Sequence, residues 1–257
     1  MQLIFFSDLD GTLLDHHTYD FTPAQPALDA LNAAGVPLVL ASSKTGPEIS
    51  ELRKAIGLSQ WPAIVENGAG ELAAGDIIDH DDSDYRRLRS ILGQLPSSLR
   101  GCYTGFGDMT VAEVVSNTGL SSEAAHLAKQ RSFTEPGLFC GSEALKAQFV
   151  SALAEHSVVT VDGGRFLTLS FGGNKADGLL AIVERLQVPE SVALGDAPND
   201  GDMLRAATQA VIVRNDHSPE VGDIPGAIRT RLAGPAGWNQ AVLAILANRK
   251  HYPLPLT

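Results

Sequence analysis

The chain has 257 residues, 44% of them hydrophobic, which is enough for one large or two modest domains with filled cores. Its 19 basic residues against 30 acidic ones give a formal charge of −11, which argues against a general nucleic-acid or anionic-membrane surface, so an anionic substrate would need locally placed arginines. The two cysteines, Cys102 and Cys140, fit no CxxC or histidine-rich metal pattern. No basic segment leads into a signal-peptide core and no apolar run reaches membrane-spanning length, so reduced thiols and a cytoplasmic location are expected.

The chain opens with the apolar run Leu3-Ile4-Phe5-Phe6, which reads as a buried strand ending in Ser7-Asp8-Leu9-Asp10-Gly11-Thr12. In an open parallel sheet, ligands collect at the carboxyl ends of the strands. Asp8 and Asp10, two apart on an extended segment, point the same way and could address one small ligand or metal ion. A carboxylate can also act as a nucleophile, and two like charges so close need a cation or a shared proton. The bland alternative is a pair of turn or helix-capping aspartates.

Residues 26–34 read as a helix ending at Gly35, and residues 36–41 as a strand that delivers Ser42-Ser43-Lys44-Thr45. The Ser42 hydroxyl at that sheet edge could bond a phosphate oxygen, with Ser43 beside it as a substrate contact. Thr45 is expected to cap the helix of residues 48–56, which ends at Gly57. Ala63-Ile64-Val65 reads as a strand entering Glu66-Asn67-Gly68. This βα alternation predicts a parallel sheet covered by helices on both faces.

From about residue 83 to 171 the texture changes. Helix candidates at 85–95, 121–130 and 142–155 are interspersed with short runs such as 157–161, which suggests an inserted α+β unit. The expected division is therefore residues 1–82 plus 172–257 as an α/β core, with 83–171 as a cap acting as a lid over the sheet's carboxyl edge. Lys175 stands before an apolar helical pattern through Leu186, where a lone lysine would ordinarily be a solvated surface residue. Ser191-Val192-Ala193-Leu194 is another short strand, running into Gly195-Asp196-Ala197-Pro198-Asn199-Asp200 ahead of a helical stretch at 202–207. If both strands lie centrally in one sheet, Asp8, Asp196 and Asp200 converge on one hard cation, and an oxygen-only set suits Mg²⁺ better than zinc. Taken alone, Asp200 would be a helix N-cap. Residues 210–213 read as a strand and 238–247 as a closing helix; the prolines of the tail, residues 251–257, cannot continue it.

In this order, SDLDGT, Ser42, Lys175 and GDAPND resemble the four motifs of the haloacid dehalogenase-like phosphohydrolases. The resemblance covers both ends of the chain and implies a Rossmann-like core with a cap of the second type. It implies that Asp8 attacks phosphorus and Asp10 acts as acid and then base. Ser42 and Lys175 would hold phosphoryl oxygens, and Asp8, Asp10, Asp196 and Asp200 would serve the Mg²⁺ site, with Asn199 nearby. The entry to the Lys175 helix reads NKADG rather than a DKG type, and Ala197 replaces a common serine; neither removes a charged group.

Within the insertion, residues 128–136 and the run Gly163-Gly164-Arg165-Phe166, together with SSKT and ENGA, resemble the mannosyl-3-phosphoglycerate phosphatase family. That likeness implies mannosyl-3-phosphoglycerate as substrate and mannosylglycerate, a compatible solute, as product. Arg131 and Arg165 would fork a substrate carboxylate, Glu135 or Asn67 would take sugar hydroxyls, and Gly164 would lie in the binding loop. Each arginine could instead be a surface ion pair of the cap, and Phe166 is expected to pack in its core. A glucosyl-3-phosphoglycerate or general sugar phosphatase is the alternative, followed by a phosphomutase or a silent ligand-binding module. Monomer and homodimer both stay open.

Overall fold

The computed structural model describes residues 2–75 and 81–250. In chain order its elements are β1 (Leu3–Ser7), α1 (Gln25–Ala33), β2 (Leu38–Ala41), α2 (Gly46–Ile56), β3 (Ala63–Val65), β4 (Gly70–Leu72), α3 (Ser83–Gln94), α4 (Ser97–Arg100) and β5 (Tyr103–Gly105). There follow α5 (Val111–Thr118), α6 (Ser122–Ala128), β6 (Glu135–Phe139), α7 (Glu143–Ala154), β7 (Val159–Gly163) and β8 (Phe166–Ser170). The last run is α8 (Lys175–Leu186), β9 (Glu190–Gly195), α9 (Gly201–Ala206), β10 (Gln209–Arg214), β11 (Ile228–Ala233) and α10 (Gly234–Lys250). The expected proline-stopped tail, 251–257, lies outside the described residues.

The chain divides into two compact units. The first comprises Met1–Ser42, Gln60–Ile64 and Asn174–Thr257; the second comprises Ser43–Ser59 and Val65–Gly173. The first boundary thus falls after Ser42, whereas the sequence leads one to expect an insertion opening at residue 83. The physical reason is local to the second unit: α2 packs against α6, and Glu66 is bonded to residues 131–134.

In the first unit the strands run in the order β11-β10-β9-β1-β2-β3, every pair parallel. All five residues of β1 are buried, as a strand covered on both faces requires. Ile4 and Phe6 join Leu179 and Ile182 of α8 and Met203 and Leu204 of α9 in one apolar cluster. Ser7 points to the opposite face by the two-residue period, and there its hydroxyl accepts the indole N–H of buried Trp238 in α10 at 2.9 Å. β1 is therefore locked from both sides, and the residue after it has one place to go.

The second unit carries an antiparallel sheet, β5-β6-β8-β7. Leu88 and Leu92 of α3 and Phe149 and Leu153 of α7 pack with Tyr103, Leu167 and Leu169 on one face. On the other, Val114 of α5 and Ala125 and Ala128 of α6 pack with Phe106, Leu138 and Phe166. Adjacent residues Leu138 and Phe139 go to opposite clusters, and Phe166 does pack in this core, edge-on to Phe106 with centroids 5.3 Å apart. Both cysteines are free thiols. No helix among the described residues is long and apolar enough to cross a membrane.

Candidate active site

β1 and β9 are adjacent and parallel, with Ser7 opposite Leu194, so their carboxyl ends bring the two acidic turns side by side. The Asp8 N–H donates to the Leu194 carbonyl at 2.9 Å, extending that register into the turn. Among the described residues, Asp8, Asp196 and Asp200 form a group of buried carboxylates whose oxygens lie within 4.8 Å of one another. Asp10 lies outside this group and is half-buried.

Lys175 is buried at the first turn of α8, against the expectation for a lone lysine at a helix start. Its placement follows from the cap. The Asn174 side chain accepts the N–H groups of Ala176 and Asp177, and Asp177 accepts the Asn174 N–H in return. The ammonium donates to Asp8 Oδ1 at 2.5 Å and to Asp200 Oδ1 at 2.8 Å. Burial opposes the charge of Lys175, but Asp200 and Asp8 outweigh it and hold the ammonium above its ordinary range. Burial, then the Asp200 carboxylate, raises Asp8 well above the usual carboxylate range, against the pull of Lys175.

Asp200 does not cap α9 with its side chain. Its Oδ2 turns back to accept the N–H groups of Asp196 and Ala197, both at 3.1 Å, while Oδ1 takes Lys175. This close return requires Gly195, since a Cβ there would lie 2.5 Å from the Asp200 Cβ. Asn199 is exposed in the same loop. Asp196 is fixed by two residues the sequence reading did not select: Thr12 donates to its Oδ1 at 2.6 Å and Asn215 Nδ2 to its Oδ2 at 2.8 Å. Asn215 follows β10 as Asp196 follows β9, so the strand-end argument could have found it. Gly11, at φ +86°, passes under this contact; a Cβ there would lie 2.2 Å from Asn215 Nδ2. Ser42 is buried one residue beyond β2, its N–H bonded to the Ile64 carbonyl at 3.0 Å.

The donor set fits a hard divalent cation: three buried carboxylates offer only oxygens, and one lysine does not balance their charge. Asp8 accepts one of these N–H and O–H donors, Asp196 two and Asp200 three, so Asp200 has the fewest lone pairs left for the cation.

The remaining candidates belong to the second unit. Arg131 is buried, with Nε on Glu66 Oε2 at 3.1 Å and Nη2 on the Ser43 carbonyl at 3.3 Å and Thr134 Oγ1 at 2.5 Å. Glu66, unselected by sequence, is the hub here. It also accepts the backbone N–H groups of Ser132, Phe133 and Thr134 and the Thr134 hydroxyl. Asn67, at φ 60°, buries its Oδ1 with no hydrogen-bond partner. Glu135 is fully buried in β6 and accepts Tyr85 Oη at 2.9 Å, Arg89 at 2.5 Å and the Gly107 N–H at 3.0 Å. Arg165 is exposed in the two-residue turn with Gly164 and donates to the Asn117 carbonyl. The structure does not join Arg131 and Arg165 in one bonded network.

A family of haloacid dehalogenase-like hydrolases matches this chain over residues 5–103 and 138–221. A glucosyl-3-phosphoglycerate/mannosyl-3-phosphoglycerate phosphatase of Persephonella marina is 34% identical over 95% of this chain and 97% of its own. Among solved structures, a protein of Geobacillus kaustophilus superposes with a TM-score of 0.70 at 19% identity, covering 96% of this chain and 100% of its own. The sucrose-phosphatase of Synechocystis, solved with sucrose and phosphate, gives 0.60 at 18%, covering 97% of each chain. At these identities the structural likenesses speak for the fold.

Proposed function

Because the chain belongs to the haloacid dehalogenase-like hydrolases and is a phosphatase, we propose that it hydrolyses the phosphomonoester of a glycosyl-3-phosphoglycerate with Mg²⁺ as its cation. Mannosyl-3-phosphoglycerate is the first substrate and its glucosyl epimer the second, since the Persephonella relative's name carries both. The observation that supports this reading most is the buried set of Asp8, Lys175, Asp196 and Asp200.

In this mechanism Asp8 attacks phosphorus, the ester P–O bond breaks, and Asp10 gives its proton to the leaving alkoxide. Asp10 then takes a proton from water, whose oxygen attacks the aspartyl-phosphate, releasing inorganic phosphate and the Asp8 carboxylate. Mg²⁺, held by Asp8 and Asp196 with Asp200 behind Lys175, would neutralise phosphoryl oxygens and bring the two anions together. Lys175 offsets charge on the same oxygens, and Ser42 donates its hydroxyl to one of them. Thr12 and Asn215 keep Asp196 in one orientation throughout.

For the glycerate carboxylate we assign Arg131, whose Nε and Nη2 are already fixed within the second unit, leaving Nη1 for the anion. Asn67 Oδ1, buried without a partner, would accept a sugar hydroxyl. Ser43, Glu135, Gly164, Arg165 and Asn199 remain candidates for the rest of substrate choice, with Glu135 acting through Tyr85 and Arg89. The test is Mg²⁺-dependent phosphate release across mannosyl-3-phosphoglycerate, glucosyl-3-phosphoglycerate, 3-phosphoglycerate, hexose phosphates and a chromogenic ester. Preference for either glycosyl ester is expected. Equal rates across the panel would retire the substrate assignment, and release without any divalent cation would retire the metal.

A further inference from the structure

Three of the chain's seven histidines meet in the first unit, away from any role in the proposed reaction. His16 and His17 follow the turn of Asp8 to Gly11, and His217 follows β10. Nε2 of His17 lies 3.2 Å from Nε2 of His217. The His16 ring stacks on His217 with centroids 5.1 Å apart and planes at 19°, and meets His17 edge-on at 5.0 Å. All three are exposed and, with Asp15, Asn215 and Asp216, line a cavity of about 90 Å³.

Packing does not account for this cluster, because exposed rings bury little apolar surface. Two imidazole nitrogens at 3.2 Å either share one N–H hydrogen bond or turn lone pairs toward a third body. A tetrahedral cation about 2.0–2.1 Å from each nitrogen would hold the two about 3.3–3.4 Å apart, close to the separation seen. The backbone under the pair is fixed. Asp15 Oδ1 accepts the N–H groups of His17 and Thr18, and Asn215 Oδ1 accepts the N–H of His217.

We propose that His17 and His217 are two preformed ligands of a second metal site, selective for a zinc-type divalent cation, with His16 completing it by rotation of an exposed side chain. Neutral imidazole suits Zn²⁺, Ni²⁺ and Cu²⁺ and serves Mg²⁺ poorly, whereas the Asp8, Asp196 and Asp200 carboxylates have the opposite preference. One chain therefore offers two donor sets of different softness. They are linked through one side chain, since Asn215 holds His217 by its oxygen and Asp196 by its nitrogen.

The test uses tag-free protein in millimolar Mg²⁺, titrated with Zn²⁺ by calorimetry and, separately, with Co²⁺ by visible absorption. One equivalent of Zn²⁺ is expected, with binding weakened at least tenfold in His17→Gln and in His217→Gln. Their Mg²⁺-dependent phosphate release should change by less than twofold. Co²⁺ should give bands stronger than those of the hydrated ion, and Asp8→Asn should keep the zinc equivalent. No zinc uptake, a hydrated-ion cobalt spectrum, uptake unaltered in both histidine variants, or uptake lost in Asp8→Asn would each overturn the site.

Discussion

Asp200 holds Lys175 with one carboxylate oxygen, at 2.8 Å, and closes the loop at Asp196 and Ala197 with the other. Both oxygens face donors, so an amide in its place must turn its NH₂ toward either an ammonium or two backbone N–H groups. Asp200→Asn is therefore expected to cost about 3 kcal/mol of stability, as loss of one partner of a buried ion pair does. Phosphate release should fall about 100-fold, because Lys175 is no longer aimed and the Asp196 loop loosens. Urea unfolding and steady-state rates read the two effects; a variant as stable and active as the parent would remove Asp200 from the site.

Asp108 contributes to the acid dependence of the second unit. Burial raises its carboxyl, but Arg89, the Gly105 N–H and Arg100 outweigh that and hold it down to about 2. A depressed carboxyl stabilises the fold above its unfolded value near 4, and the contribution disappears as pH falls toward 2. Asp108 is partly exposed, so solvent screening limits it to at most about 1 kcal/mol. Between pH 5 and 2, stability should fall more steeply for the parent than for Asp108→Asn. Parallel curves would show that these bonds do not favour the charged form.

Much of the first unit is legible in the sequence because its strands are buried on both faces and read as short, largely apolar runs: β1, β2, β3 and β9 all appear this way. The Thr45 cap is also legible, since a capping box is local; Thr45 accepts the Glu48 N–H and Glu48 accepts the Thr45 N–H. β5, at three residues, and β6, carrying Pro136 and Gly137, are too short or too irregular for a period to show. β11 lies at the sheet edge and is largely exposed, so it lacks the apolar signature of its neighbours. Asp8, Lys175 and Asp196 stand at strand and helix ends where chemistry can be suspected. The role of Glu66 depends on residues about 65 positions away, and no local pattern announces it.

Glu66 is buried, and its carboxylate accepts from the Arg131 guanidinium, three backbone N–H groups and the Thr134 hydroxyl. Glu66→Gln removes the charge that Arg131 is paired with and brings an NH₂ among donors. About 3–5 kcal/mol of stability should be lost. Amides of residues 132–134 should exchange faster with solvent, and if Arg131 takes the substrate carboxylate, KM should rise more than kcat falls. Unchanged protection at those amides would mean that the carboxylate does not organise the segment.

Asp8 joins stability to metal binding. Burial and the Asp200 carboxylate hold its proton affinity well above that of the unfolded chain. A raised carboxyl stabilises the fold only while protonated, so at neutral pH the metal-free protein carries a penalty for ionising Asp8 among its neighbours. Asp8→Asn removes that charge while keeping the shape. Without metal, the variant should melt at or above the parent's temperature, although its phosphate release is abolished. Mg²⁺ at 100 times its dissociation constant should stabilise the parent by about 2.7 kcal/mol, and the variant by much less. Equal Mg²⁺ shifts in the two proteins would place the cation away from Asp8, and a variant that melts well below the metal-free parent would show that the Lys175 contact outweighs the crowding of carboxylates.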